Sequence, residues 1–292
     1  MNHPAADLTL QVDVTNPGQF FACCGLLELA HRLWPGAEGW FDCPSDSFSL
    51  HAPVPPNQDV PRQFIEAIAK CEIVTAMPAL DVQRRDELRL MSKKQRQLEN
   101  LEEEKKRLDA LRRESPVLLG SPFRLEIDWF ADSEASDTTF KTWAGQQSAI
   151  DIAQAMKAAI AASEPASQSA ATWFSWSSAN VGVPFNFDAV LGGQGSDRDV
   201  GFSRDPLQIS TASRPLIELL AFVGLQRFRP RRAEQRNRFI YVAWTQPFEP
   251  MIASAVACGC VGTGKVNAFE FSLLYRTKYL KSFLPATPLG VP

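Results

Sequence analysis

Two stretches of this 292-residue chain leave the least freedom in how it can fold: "FACCGLLEL" at residues 21–29 and "LAFVGLQRF" at residues 220–228. Both have the form x-A-x-x-G-L-x-x-apolar, and each follows a proline near a helix start. A helix this apolar must be buried on all sides. A glycine in its middle costs helix propensity, and it is the residue that lets another backbone come close. Two buried helices, each with a glycine for close approach, account for the echo; internal duplication is the alternative.

The segments around them alternate between strand and helix signals. "LTLQVDV" reads as a strand, and "NPGQFFACCGLLELAHRLWPG" as a helix. Asn16 is its cap, Pro17 sits in its first turn, Gln19 is spaced to reach back, and Pro35 and Gly36 stop it. "GWFDC" and "FSLHA" are expected as short strands, Val60 to Cys71 as a helix after a stiff Pro53, Pro55, Pro56 loop, and "SPFRLEIDWFAD" as a strand. "WAGQQSAIDIAQAMKAAIAA" predicts a further helix; "TWFSW", "VPFNFDAVL", "RFIYVAW" and "FEFSLLYRTKYL" predict strands. There is no regular βαβ beat, so the expectation is an α+β fold: mixed sheets with interspersed helices and a charged helical arm.

That arm is the segment from residue 80 to 115, where Leu88, Leu98, Leu101, Leu108 and Leu111 form a sparse stripe among charges suited to i to i+4 pairing. It is expected to be a solvated arm or insertion between an N-terminal part of one α+β domain (1–79) and the remainder (116–292). No apolar run approaches the roughly 20 residues that cross a bilayer, and "MNHPAADLTLQVDV" has no signal-peptide pattern. The expectation is a cytoplasmic protein with no membrane partner, and the six cysteines, without a CxxC pair, are read as reduced thiols.

Motifs for chemistry are weak. "GCVGTGK" at residues 259–265 satisfies GxxxxGK, but Val266 stands where a phosphate loop needs Ser or Thr, and a strand-like run follows where a helix should open. The Gly-rich "GGQGSDRDVGFSRD" holds Asp197, Asp199 and Asp205 without the spacing of a calcium loop; its Arg198 and Arg204 suit a nucleic-acid phosphate as well as its aspartates suit a cation. His3, His31 and His51 are scattered, and Glu126 and Asp128 suit a solvated strand face. No catalytic residues, metal ligands or cofactors are assigned, and no enzymatic activity is expected.

Charge is informative. Residues 1–195 carry 17 basic and 26 acidic side chains, residues 196–292 carry 13 and 7. The excess concentrates in "RFRPRRAEQRNR", where Arg227, Arg229, Arg231, Arg232, Arg236 and Arg238 face only Glu234. Six guanidinium groups repel unless something anionic lies among them, and guanidinium forks bind phosphates and stack on bases. Phe228, Phe239 and Tyr241 lie alongside as candidate stacking surfaces, while Arg227 and Arg238, at the helix end and strand start, are expected to be partly structural. Arg276, Lys278 and Lys281 add a second basic strip. A loop bridged to the acidic half of the chain, or to a partner protein's carboxylates, is the competing reading.

The stretches "NPGQFFACCGLLELA", "PFRLEIDWF", "KTWAGQQSA", "VGVPFNFDAV", "DVGFS", "RPLIELLAFVGLQRFRP" and "LLYRTKYLKSFLPA" together resemble a small CRISPR-associated family of type I-U (now I-G) effector modules. That family occurs alone or as a C-terminal extension of the system's helicase-nuclease. The resemblance covers most of the chain outside residues 80–115. It implies a non-catalytic subunit of an RNA-guided surveillance complex of Cascade type. The implied partners are guide RNA or target DNA and the other subunits of the effector complex, with the helicase-nuclease as a candidate. Base pairing reads sequence in such assemblies while protein holds backbone, so a basic surface without a catalytic constellation is the expected signature.

Overall fold

A computed structural model describes residues 3–131, 138–143, 147–163, 168–181, 184–191, 211–261, 267–276 and 279–290. Its centre is a helix pair, α1 (Pro17–Leu33) and the helix Pro215–Arg227, buried from Pro17 to Ala30 and from Pro215 to Leu225. They meet at the two glycines. A Cβ added to Gly25 would lie 1.9 Å from the Leu220 carbonyl oxygen, and one added to Gly224 would lie 2.1 Å from that of Phe21. Close approach is thus what the repeated glycine serves.

The start of α1 follows the expected cap with one difference. Asn16 Oδ1 accepts from the Gly18 amide, 3.0 Å. Gln19, however, reaches past the cap to the Asp13 amide, 2.8 Å, because the Asn16 amide already donates to the Asp13 carbonyl.

Antiparallel strands pack around the pair. The first sheet has the order β1-β3-β2, with β1 at Leu8–Gln11, β2 at Glu38–Asp42 and β3 at Ser47–His51. After α2 (Val60–Lys70), β4 (Ile73–Thr75) pairs with β5 (Val117–Leu119), which pairs with β6 (Leu125–Ile127). Between β4 and β5 the chain makes three helices, α3 (Ala79–Leu90), α4 (Lys93–Leu98) and α5 (Glu102–Glu114). It leaves and returns at adjacent points, since the Ala76 amide donates to the Pro116 carbonyl, 2.9 Å. The three helices have their own small apolar cluster of Met77, Leu88 and Leu108, flanked by Val82, Met91, Leu101 and Leu111, while Leu98 is exposed.

Helix α6 (Ala149–Ser163) packs on α2 and on the central helix Pro215–Arg227, here α7. Strand β7 (Ser178–Val181) pairs with β8 (Thr211–Ser213), just ahead of α7. The last sheet has the order β12-β11-β10-β9, from Tyr279–Phe283, Asn267–Arg276, Arg238–Ala243 and Arg231–Arg232, with β13 (Thr287–Pro288) on β11. Helix α8 (Pro250–Ala257) packs on β10 and α1. The first and last sheets are stitched at β2: the Phe41 amide donates to the Trp244 carbonyl, 2.8 Å, and Trp244 Nε1 to the Gly39 carbonyl, 2.6 Å. This is an α+β fold. Among the described residues no helix is long and apolar enough to cross a membrane.

Two expected strands are absent. "TWFSW" is a 3-10 turn (Ala170–Thr172) that continues into a helical Trp173, and the part of "VPFNFDAVL" from 184 to 188 is a loop. The loop is held by the ends of the central helices. Asp188, fully buried, accepts from Asn16 Nδ2 at 2.7 Å and from Arg214 at 3.0 Å. Glu218 accepts the amides of Phe187, 3.2 Å, and Asp188, 3.1 Å. Burial pushes the Glu218 carboxyl up to about 8; the Asp188 carboxylate adds to the rise, against the pull of the loop amides. At neutral pH Glu218 therefore holds its proton beside an Asp188–Arg214 ion pair.

Candidate nucleic-acid interface

The arginine segment folds as a hairpin that leaves the end of α7. Arg231 lies opposite Ile240 and Arg232 opposite Phe239, and the turn between them runs through Glu234 and Arg236 to Asn237, whose φ of 63° is one that asparagine tolerates. Alternation along β10 turns Phe239 and Tyr241 inward, where Phe239 packs on Phe140 and Phe271 and Tyr241 stacks on Phe20. The Tyr241 hydroxyl donates to the Val14 carbonyl, 2.6 Å. Phe228 is buried against Trp244. These three rings are core and cannot stack on bases, contrary to expectation; an alternating strand shows which side chains share a face, not which face is wet.

The six arginines divide into two groups. Arg227 Nε donates to Glu28 on α1 at 2.6 Å. Burial would raise the Glu28 carboxyl, but Arg227 and then Arg32, at 2.9 Å, outweigh it and hold the group below its ordinary value. Arg238 pairs with Glu270 of β11 at 2.6 Å, and Arg232 donates to Thr139 Oγ1 at 3.1 Å. Arg227 and Arg238 are structural as well as cationic.

Arg229, Arg231 and Arg236 have no carboxylate within ion-pair distance among the described residues. Arg231 and Arg236 are exposed and Arg229 is half-buried. Arg231 crosses the turn after α8, where a Cβ on Gly259 would lie 3.8 Å from its Nε.

No protein-family model, curated protein or solved structure matches the chain.

Strand β11 runs on past the hairpin turn, from Ser272 opposite Arg238 to Arg276, and the backbone of Lys281 follows in β12. The second basic strip thus starts at the end of the sheet that carries the arginine turn. Lys278, Arg198 and Arg204 lie outside the described residues, as do the aspartates of the Gly-rich loop and Lys265 of "GCVGTGK". Downstream of Lys265 the chain is strand β11 from Asn267 onward, where a phosphate loop requires a helix. Among the described residues no cluster of three or more His, Cys, Asp or Glu could hold a metal ion. Cys23, Cys24 and Cys71 are buried thiols, and burial pushes all three above their ordinary value.

Sequence reasoning missed the partners Glu28 and Glu270, and it missed the cluster of Asn16, Asp188, Arg214 and Glu218. Only Asn16 gave a signal, as a helix cap.

Proposed function

We propose that this chain is a non-catalytic subunit of an RNA-guided CRISPR surveillance complex of Cascade type in the cytoplasm, and that the β9–β10 hairpin grips the backbone of guide RNA or target DNA. One observation carries the reading: Arg229, Arg231 and Arg236 surround a single hairpin without a carboxylate partner among the described residues. Guanidinium groups in that state bind phosphate oxygens through charge-assisted hydrogen bonds, without regard to sequence. The resemblance to the type I-U effector family supplies the assembly, and the other effector subunits and the helicase-nuclease are its proposed protein partners.

The test is the salt dependence of binding to single-stranded RNA and DNA. Three phosphate contacts contribute a log-log slope of about −2 on a single strand. Replacing Arg229, Arg231 and Arg236 with Ala removes about that much slope and weakens binding equally for unrelated sequences. Arg227 is a poor choice for this test, because its loss leaves the buried Glu28 carboxylate with Arg32 alone. RNA recovered with the protein from its host, sequenced before and after the triple substitution, reads the same property in cells.

A second reading is an adaptor that uses the hairpin on acidic surfaces of partner proteins. The ion pairs of Arg227 with Glu28 and Arg238 with Glu270 favour it, since two arginines of the segment already engage carboxylates. A triple variant that keeps full RNA and DNA binding but fails to assemble with its partners replaces the first reading with this one.

A further inference from the structure

The helices between β4 and β5 are more than a solvated arm. Where α3 and α5 meet the start of α6 they enclose a polar cleft of about 240 Å³. Five cations line it: Arg85 and Arg89 from α3, and Lys105, Arg112 and Arg113 from α5. Its carboxylates are Asp109 and Asp151, and both are taken. Asp109 accepts from Arg85 at 2.9 Å and from Lys105 at 2.5 Å; Asp151 accepts from Arg112 at 2.5 Å. Arg89 and Arg113 have no carboxylate partner among the described residues, and the Nε of Arg112 is buried without one. The N-terminus of α6 adds its partial positive charge at Ser148.

A cleft with more guanidinium than carboxylate, and with an orphaned N–H inside it, is destabilised by self-repulsion and lost hydration until an anion enters. We propose that it is a binding site for a phosphoryl oxyanion, with Arg113, Arg89 and Arg112 Nε as donors. Its donors converge on a space that suits a diphosphoryl group, free or carried by a larger molecule that extends into solvent. The phosphates are those of a free diphosphate, of the end of a nucleotide, or of successive residues in a nucleic-acid strand. The site is built from other elements than the β9–β10 hairpin and stands apart from the reading of that hairpin.

The experiment titrates the full chain with inorganic pyrophosphate by calorimetry, for the wild type, for Arg89→Ala/Arg113→Ala and for the hairpin triple variant. Pyrophosphate binds the wild type and the hairpin variant alike, and the cleft variant loses affinity by about tenfold or more. Circular dichroism and exchange protection of residues 102–114 show that the cleft variant keeps its helices, and Arg113→Lys, which keeps the charge, restores part of the affinity. A nucleoside triphosphate and a single-stranded oligonucleotide then compete for the site: whichever displaces pyrophosphate identifies the source, and displacement by neither leaves a free diphosphate. The proposal fails if the wild type does not bind pyrophosphate at millimolar concentration, or if the cleft variant binds it unchanged. Its failure leaves the salt slope of the hairpin untouched, so the two readings are judged separately.

Discussion

Replacing Gly25 with Ala tests the central packing directly. The new Cβ would meet backbone only: the Leu220 carbonyl oxygen at 1.9 Å, its carbon at 2.8 Å and the Gly224 nitrogen at 2.9 Å. No side chain can turn aside to relieve this. An ordinary carbon to oxygen contact is about 3.3 Å, so α1 and α7 must part by about 1.4 Å at the crossing. A gap of that order forfeits about half of the dispersion attraction of the atoms facing it. Overpacking relieved by backbone movement alone belongs at the upper end of its usual range, about 3 kcal/mol or more, and alanine returns about 1 kcal/mol of helix propensity. The net loss is about 2–4 kcal/mol, a fall in Tm of about 3–7 °C by differential scanning calorimetry at the unfolding entropy of a chain this long. Gly224→Ala should cost as much. The double variant should cost less than the two together, because helices already parted make room for the second methyl. A Gly25→Ala protein as stable as the wild type, or strict additivity in the double variant, refutes the close crossing.

Two further outcomes follow from buried groups. Between about pH 4.5 and 8 the folded state holds the Glu218 proton and the unfolded chain has lost it, so stability falls as pH rises, by about 5 kcal/mol across the window, and levels off above it. Glu218→Gln loses an acceptor for a loop amide and about 1–3 kcal/mol at pH 5, where both side chains are neutral, but it abolishes that slope and so becomes the more stable protein above about pH 8; urea midpoints at pH 5, 6.5, 8 and 9 show it, and an unchanged slope refutes a protonated Glu218. Leu108→Ala empties the small cluster of the inserted helices and costs about 2–5 kcal/mol there. Amide exchange should quicken across residues 79–114 while α7 stays protected; equal loss in both would make the insertion part of the central core.

The sequence carried local structure well wherever a residue acts on its near neighbours. Asn16 and Pro17 start α1, α2 opens at Val60 after the Pro53, Pro55, Pro56 loop, and the stripe of leucines marked the inserted helices. What it could not carry was the choice of wet face and of distant partner. Phe239 and Tyr241 alternate as well for a stacking platform as for a core, and only the presence of Phe20, Phe140 and Phe271 beneath them decides. The aromatic run at Trp173 looked like a strand because alternation of bulky rings does not distinguish a strand from a turn pressed into a core. Arg227 showed its place at a helix end but not Glu28, and nothing near Glu218 in the chain points to the loop at Asp188 whose amides it accepts.

The meeting of Gly25 with Gly224 also has a meaning in time. A ribosome adding about 5–20 residues per second needs about 10–40 seconds to make the stretch between the two glycines. Throughout that interval α1, which has no polar side to offer water, lacks the surface it is shaped to meet. Its early lodging must be provisional: its own hairpin β2–β3, a chaperone, or another nascent chain. The core cannot close until α7 has been made, and any cut in the chain between the two helices leaves two fragments that each carry an uncovered apolar helix.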